Sequence, residues 1–281
     1  MKKALRKIII FCSSFFFKIL NIAPGGRIFL DQISKENMSS IRKINHKNHT
    51  FFFSTPNILN NFRAMTFSSK EPETLEWIDR MPIGEVFWDI GANVGLYSIY
   101  AAKTKKCIVY SFEPSVFNLE LLSRNIYLNK LQNKITIIPL PLSDHLKKNS
   151  LIMSNTDWGG AMSTFGENYG HDGKKINKKF QFSTIGISID EIVRLLKVPI
   201  PKYLKIDVDG IEQLILKGAK KNLSQIKSIL IEVNDDFIEQ RDSVSQILQN
   251  AGFKLKEKKH SEMFEGDKSF SNVYNQIWDR T

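Results

Sequence analysis

The feature that most constrains this chain is the run Val86-Phe87-Trp88-Asp89-Ile90, followed at once by Gly91-Ala92-Asn93-Val94-Gly95 and then Leu96-Tyr97-Ser98. Val86, Phe87, Trp88 and Ile90 are β-branched or aromatic, as a strand buried on both faces requires. Gly91 and Gly95 then remove the Cβ where the backbone must turn sharply and lie close to another group. A helix starting near Val94 leaves its first N–H groups facing the turn. Such a turn either merely connects a strand to a helix or seats a nucleotide-like ligand. The residues that follow decide between the two.

The same rhythm continues along the chain. Ile108–Phe112 reads as a second strand ending in Glu113-Pro114, and Ser115–Asn129 as a helix with Phe117, Leu121, Leu122 and Ile126 on one side. Ile135–Leu140 is a third strand followed by Ser143-Asp144. Tyr203–Asp207 is a fourth and Ile229–Val233 a fifth, with Phe253–Leu255 and Val273–Trp278 as a closing antiparallel pair. Helices are predicted from about Glu71, capped by Ser69, and over Glu191–Leu196, with Asp190 as N-cap. Alternation of strands and helices with short connections predicts an α/β fold: a mostly parallel sheet with helices on both faces. Residues 145–184 break the rhythm. They read as a long functional loop or lid with a short strand at each end, carrying Trp158-Gly159-Gly160.

In an open α/β sheet a ligand sits beyond the carboxyl ends of the strands, at the switch point. Those ends carry Asp89, Glu113, Asp144, the pair Asp207 and Asp209, and Glu232. A carboxylate at the end of the second strand is placed to accept hydrogen bonds from ribose hydroxyls. The glycine pattern lacks the third glycine of a dinucleotide site, and no Gly-Lys-Ser/Thr marks a P-loop. Asp89, just ahead of the turn, would repel a pyrophosphate but suits a ligand with an ammonium group. S-adenosylmethionine fits: an adenosine bearing a charged amino acid.

At this point a family resemblance enters. Asp89–Ser98, Phe112-Glu113-Pro114, Asn125, Asn129, Ser188-Ile189-Asp190, Leu204–Glu212, Lys217-Gly218-Ala219 and Ile229–Glu232 together resemble the FkbM family of S-adenosylmethionine-dependent methyltransferases. The resemblance covers roughly residues 70–278. It implies a seven-stranded Rossmann-like class I methyltransferase sheet and a domain over 66–281. It also implies a cofactor site of Asp89, Gly91, Asn93, Gly95, Glu113, Ser143 and Asp144, with Asp89 and Gly91 by the methionine part, Glu113 by the ribose, and Ser143 and Asp144 by the adenine edge. The family usually has Glu where Asp209 stands; Asp keeps the charge with a shorter reach. Members are commonly O-methyltransferases acting on hydroxyls of sugars or secondary metabolites.

The acceptor is therefore expected to be a sugar or small-molecule hydroxyl. A base within hydrogen-bond reach takes its proton. Asp207 is the first candidate and Asp209 the second; the bland alternative for either is a hydrogen-bonded turn residue or cofactor contact. Magnesium held by Asp207, Asp209 and Asn234-Asp235-Asp236 is a minority reading, and no metal is expected. A methyltransferase of a small secondary metabolite and a non-catalytic binding module are the competing functions.

Residues 1–65 lie outside the resemblance and read as a basic appendage. The net charge is +11, yet residues 1–50 hold ten Lys and Arg against only Asp31 and Glu36. Lys7 and Lys18 bracket an apolar run, Ile8–Phe17, which as a helix rises only ~15 Å against a hydrocarbon core of about 30 Å. It reads as a membrane-surface helix with Phe11, Phe15, Phe16 and Ile19 facing lipid, as a helix docked on the domain, or, third, as a signal peptide without a clear cleavage site. Cys12 and Cys107 form no disulfide framework and fit a reducing compartment. The expectation is a cytoplasmic enzyme with peripheral membrane contact through residues 4–22. No nucleic-acid partner is expected, since no recognition motif accompanies the basic charge.

Overall fold

The computed structural model describes residues 2–260 and 270–280. Helices α1 (Lys2–Ile22) and α2 (Gly26–Ser39) come first, then a hairpin of β1 (Ile41–His46) and β2 (His49–Ser54), then α3 (Ile58–Met65) and α4 (Pro72–Asp79). The first half of the main sheet follows as β3 (Val86–Ile90), α5 (Leu96–Thr104), β4 (Ile108–Phe112), α6 (Val116–Leu128) and β5 (Ile135–Ile138). An excursion of β6 (Lys147–Met153), β7 (Ser163–Phe165) and β8 (Phe180–Gly186) separates it from the second half. That half comprises α7 (Ile189–Leu196), β9 (Tyr203–Ile206), α8 (Glu212–Lys217), β10 (Ser228–Asn234), α9 (Ile238–Asn250), β11 (Phe253–Lys259) and β12 (Val273–Arg280).

Seven strands form the central sheet in the order β11-β12-β10-β9-β3-β4-β5. Neighbours from β10 to β5 pair in parallel, and β12 alone runs against both of its neighbours. Successive strands leave β3 in one direction through β4 and β5, and in the other through β9 and β10. The switch point therefore lies between β3 and β9, where a crevice must open. Residues of β3 alternate between two cores: Phe87 packs with Trp77 and Tyr100 on one face, and Trp88 and Ile90 with Phe112, Leu204 and Ile206 on the other. That two-sided burial is why the strand reads as a continuous apolar run.

Local details differ from the sequence reading. Glu71, not Ser69, is the N-cap of α4, with Pro72 as the first helical residue. Ser188, not Asp190, caps α7, through a reciprocal capping box with Glu191; Asp190 instead accepts the Lys221 and Asn222 amides. Residues 145–184 hold a three-stranded antiparallel sheet, order β7-β6-β8, rather than a loop with a strand at each end. Leu151, Met153 and Phe165 of this sheet close on Ile211 as a small core of their own.

The triplet Phe51-Phe52-Phe53 is a strand and a packing patch at once. Phe51 and Phe53 point inward, with ring centroids 5.2 and 5.5 Å from Phe67, and Phe51 lies 5.7 Å from Tyr100 of α5. A two-stranded hairpin leaves the outer edge of each strand unpaired, here including that of β2. Asn125 and Asn129, one turn apart on α6, cover it. The Ser54 amide donates to Asn125 Oδ1 at 2.7 Å, and the Phe52 amide to Asn129 Oδ1 at 3.1 Å. Asn129 Nδ2 returns a hydrogen bond to the Phe52 carbonyl at 2.7 Å. Residues 41–65 thus share a core with the main sheet, to which no described side chain of α1 or α2 contributes. Phe51→Ala is expected to cost about 3–5 kcal/mol of stability, read as a lowered urea midpoint for the whole domain in a single transition.

Candidate active site

Gly91 is where the two halves of the sheet touch. Its φ is +80°, and a Cβ there would lie 1.7 Å from the Asp207 carbonyl oxygen. The turn is fixed by the Gly91 and Ala92 amides, both donating to the Phe112 carbonyl at 3.0 Å, and by the Asp207 amide donating to Ile90 at 3.1 Å. A side chain at 91 would force β3 and β9 apart, so only glycine lets the two strand ends meet.

Over this junction lies a cavity of about 320 Å³. Its lining changes character along the strand order. Leu140, Pro141 and Leu142, after β5, make an apolar end with Phe112. Glu113, Asn93 and Gly91 follow, then Asp207 and Asp209 after β9, then Glu232 on β10. Arg63 of α3 and the pair Lys70 and Glu71 ahead of α4 complete the ionisable end.

Of the residues singled out from sequence, Gly91, Asn93, Glu113, Asp207 and Asp209 meet in this cavity; Asp89, Gly95, Ser143 and Asp144 do not line it. Asp89 is wholly buried behind the turn, where its Oδ2 accepts the Ser98 hydroxyl at 2.6 Å. Gly95 heads α5 and faces Leu122. The Ser143 amide donates to Ile187, and its hydroxyl donates to Asp144 at 3.0 Å. Asp144 is claimed by Lys147 and His145 at 2.8 and 3.0 Å. Despite partial burial, these groups hold its carboxyl well below the usual range. The cause of the displacement is local: β5 ends at Ile138, and by Leu142 the chain is already bridged to Ile187.

Glu113 is the better-placed strand-end acid. Its Oε1 accepts the Ser115 amide and its Oε2 the Asn93 amide, both at 2.8 Å. Burial pushes its carboxyl up to about 7 against those two donors. Asp209, with φ +62°, turns its Oδ2 onto the amides of Met162 and Ser163 at 2.7 and 3.3 Å. The same stretch of chain is tied from other sides. Asn93 and Asn118 donate to the Gly160 carbonyl at 2.8 and 3.0 Å, and Arg63 Nε donates to Gly159 at 2.9 Å. Residues 158–163 are thereby a fixed wall of the cavity. Trp158 itself is half-exposed and offers this wall its carbonyl, to Asn57 and Asn60.

The residue that organises the charges was not singled out from sequence. Lys205, on β9, is 1% exposed and puts its Nζ 2.7 Å from Asp207 Oδ2 and 3.9 Å from Asp89 Oδ1. Its ammonium also lies 5.2 Å from the centre of the Tyr97 ring. Burial alone would lower its pKa, yet Asp207, Asp89 and Glu71 around it hold it above the usual lysine range. Glu71 accepts the Tyr97 hydroxyl at 2.7 Å and pairs with Lys70 at 2.6 Å. Burial works to raise the Glu71 carboxyl, but Lys70 and Lys205 bring it down to about 2. Glu232 is the opposite case. Burial, with Asp207 and Asp209 nearby, holds its carboxyl well above the ordinary range. Lys205 stands two residues before Asp207 at a strand end, where alternate residues share a face, and Glu71 stands at the head of α4.

Asn234-Asp235-Asp236 turns to other partners: Asn234 to the His171 carbonyl, Asp235 to Lys258 and Asp236 to Asn272. Among the described residues no three His, Cys, Asp or Glu side chains are gathered as a metal ligand set.

A seven-stranded sheet with one reversed strand, and a cavity at its switch point, define a Rossmann-like class I methyltransferase fold. The family model of the methyltransferase FkbM domain matches residues 89–255, and the chain belongs to this family of S-adenosylmethionine-dependent methyltransferases. The hexuronic acid methyltransferase AglP of Haloferax volcanii is 28% identical over 150 residues, which are 53% of this chain and 56% of that protein. A tRNA (guanine(37)-N(1))-methyltransferase of Dictyostelium discoideum is 28% identical over 88 residues, 31% of this chain and 19% of that protein. The alignments thus span about half or less of these curated relatives. Among solved structures, M. jannaschii TYW2 in complex with AdoMet superposes with a TM-score of 0.44 at 15% identity, over 86% of this chain and 87% of that one.

Lys205→Met removes the cation between the buried Asp89 and the part-buried Asp207. It is expected to destabilise the fold by about 3–5 kcal/mol, as breaking a buried pair does, measured by urea unfolding. Adding Asp207→Asn to it should return part of the loss.

Proposed function

We propose that this protein transfers the methyl group of S-adenosylmethionine to a hydroxyl of a sugar or glycan. The residues present fit the cofactor. The apolar end formed by Phe112, Leu140 and Leu142 suits the adenine, and Glu113 suits the ribose diol. Among the described residues Arg63 hydrogen-bonds through Nε alone, so its remaining guanidinium N–H groups suit the methionine carboxylate. Glu71 is the carboxylate that supplies negative charge for the ammonium at this end of the cavity, whereas Asp89 stays behind the turn. When bound, S-adenosylmethionine supplies a methyl group already activated for attack by a nucleophile. What the protein adds is positioning and removal of a proton.

The observation that carries the reading is Asp207. It lines the cavity beside the Gly91 turn, with Oδ2 held by Lys205 and Oδ1 without a hydrogen bond among the described residues. A carboxylate oriented on one oxygen and open on the other is what an acceptor hydroxyl needs as a proton acceptor. Asp209, its Oδ2 committed to the Met162 and Ser163 amides, holds the wall. Glu232, one strand further out, is the alternative base. The resemblance to a hexuronic acid methyltransferase supports a sugar acceptor. An RNA acceptor is less favoured, because Glu71, Glu113, Asp207, Asp209 and Glu232 crowd the cavity where phosphates would need cations.

Mass spectrometry of glycans from cells with and without the protein is expected to show a shift of one methyl group. Asp207→Asn should lower the transfer rate by about 10²–10⁴-fold while binding of S-adenosylhomocysteine by calorimetry changes little. If Asp207→Asn keeps its rate and Glu232→Gln loses it, the base is Glu232. Binding should also depend on pH. With Glu113 at about 7 in the cofactor-free protein, its carboxylate must lose a proton to accept two ribose hydroxyls. Affinity therefore falls as pH drops below 7, by up to about tenfold per unit, and Glu113→Gln should flatten the dependence.

A further inference from the structure

The N-terminal helix α1 carries its apolar residues on every side. Ile8, Ile9, Ile10 and Phe11 are consecutive, so at about 100° per residue they ring the helix, and each is more than half exposed. Phe11 reaches 74% exposure, and Phe15, Phe16 and Ile19 extend the same surface. On α2, Ile28 and Phe29 are exposed beside it. The same kinds of side chain form the two cores of the sheet. A helix apolar all round is stable only where something apolar surrounds it.

The two helices are set as a hairpin. Gly25 takes φ +75°, and a Cβ on Gly26 would lie 1.8 Å from the Leu20 carbonyl oxygen, so α2 starts directly against the end of α1. Cations frame the apolar run: Lys7 before it, Lys18 after it and Arg27 at the start of α2 are all exposed. Over residues 1–40 seven Lys and Arg stand against Asp31 and Glu36. No helix among the described residues is long and apolar enough to cross a membrane.

We propose that the α1–α2 hairpin docks on the surface of an anionic lipid bilayer, sinking its apolar run into one leaflet while Lys7, Lys18 and Arg27 reach the headgroups. Two observations favour lipid over a second copy of the chain. A helix bundle leaves its outer face polar, whereas α1 has no polar face along residues 8–11. The cations sit at the ends of the run, where long side chains extend to an interface. This proposal is independent of the acceptor chemistry.

The test is flotation of the full-length protein with vesicles of phosphatidylcholine alone or mixed with phosphatidylglycerol. The protein is expected to float with the anionic vesicles and, at raised salt, to do so less. Phe11→Asp and Phe15→Asp should each lower partitioning by about tenfold or more, with S-adenosylhomocysteine binding unchanged as a control for folding. Three results would overturn the proposal: wild-type protein that ignores anionic vesicles, variants that float as well as wild type, or a lipid-free dimer by light scattering that the two substitutions dissociate while vesicle binding stays the same.

Discussion

A single buried ammonium holds the centre of this protein together. Lys205 rises from β9 into a space where burial would strip it of charge, and it stays charged because Asp207, Asp89 and Glu71 converge on it. Each of those carboxylates belongs to a different part of the chain: the end of β9, the interior of β3 and the approach to α4. The contact of Gly91 with the Asp207 carbonyl brings the two strand ends to touching distance, and Lys205 ties the charges across them. The cavity opens directly above. Its position follows from topology, its floor from a missing Cβ, and its field from one lysine among three acids.

The walls are built with the same economy of parts. Asn93 stands on the turn and also reaches the Gly160 carbonyl; Asp209 stands after β9 and also holds the Met162 and Ser163 amides. The turn after β3 and the segment after β9 are therefore joined through the 158–163 wall. Further along the same face of α6 as Asn118, Asn125 and Asn129 bind the edge of the N-terminal hairpin, next to Phe51 and Phe53 in the core. Asn125 also donates to the Val94 carbonyl of the glycine turn at 2.8 Å, so this part of the family pattern ties the hairpin to the cavity floor.

The main sheet was legible in the sequence because its strands are buried on both faces and read as unbroken apolar runs. Of the excursion, the strands at its two ends, β6 and β8, were legible, but β7, only three residues long, and the pairing of all three into one sheet were not. Of the cavity lining, Gly91, Glu113, Asp207 and Asp209 follow from assigning acids and glycines to strand ends, and Asn93 from the turn between the two glycines. The same rule points to Asp144, which does not line the cavity because the chain turns away before reaching that residue. Asp89, on a strand buried on both faces, is held behind the turn by Ser98 and Lys205. Lys205, Glu71 and Arg63 escaped notice because a rule that counts acids at strand ends has no place for the cations that hold them, nor for residues delivered from outside the sheet.

The atom that receives the methyl group is what most directly distinguishes the proposed chemistry. S-adenosylmethionine labelled with ¹³C in its methyl group, incubated with the protein and a glycan fraction, should give a product whose labelled methyl shows the nuclear magnetic resonance signature of an ether carbon on a sugar ring. Label found on nitrogen, or label recovered only in a ribonuclease-sensitive product, would contradict hydroxyl transfer to a sugar.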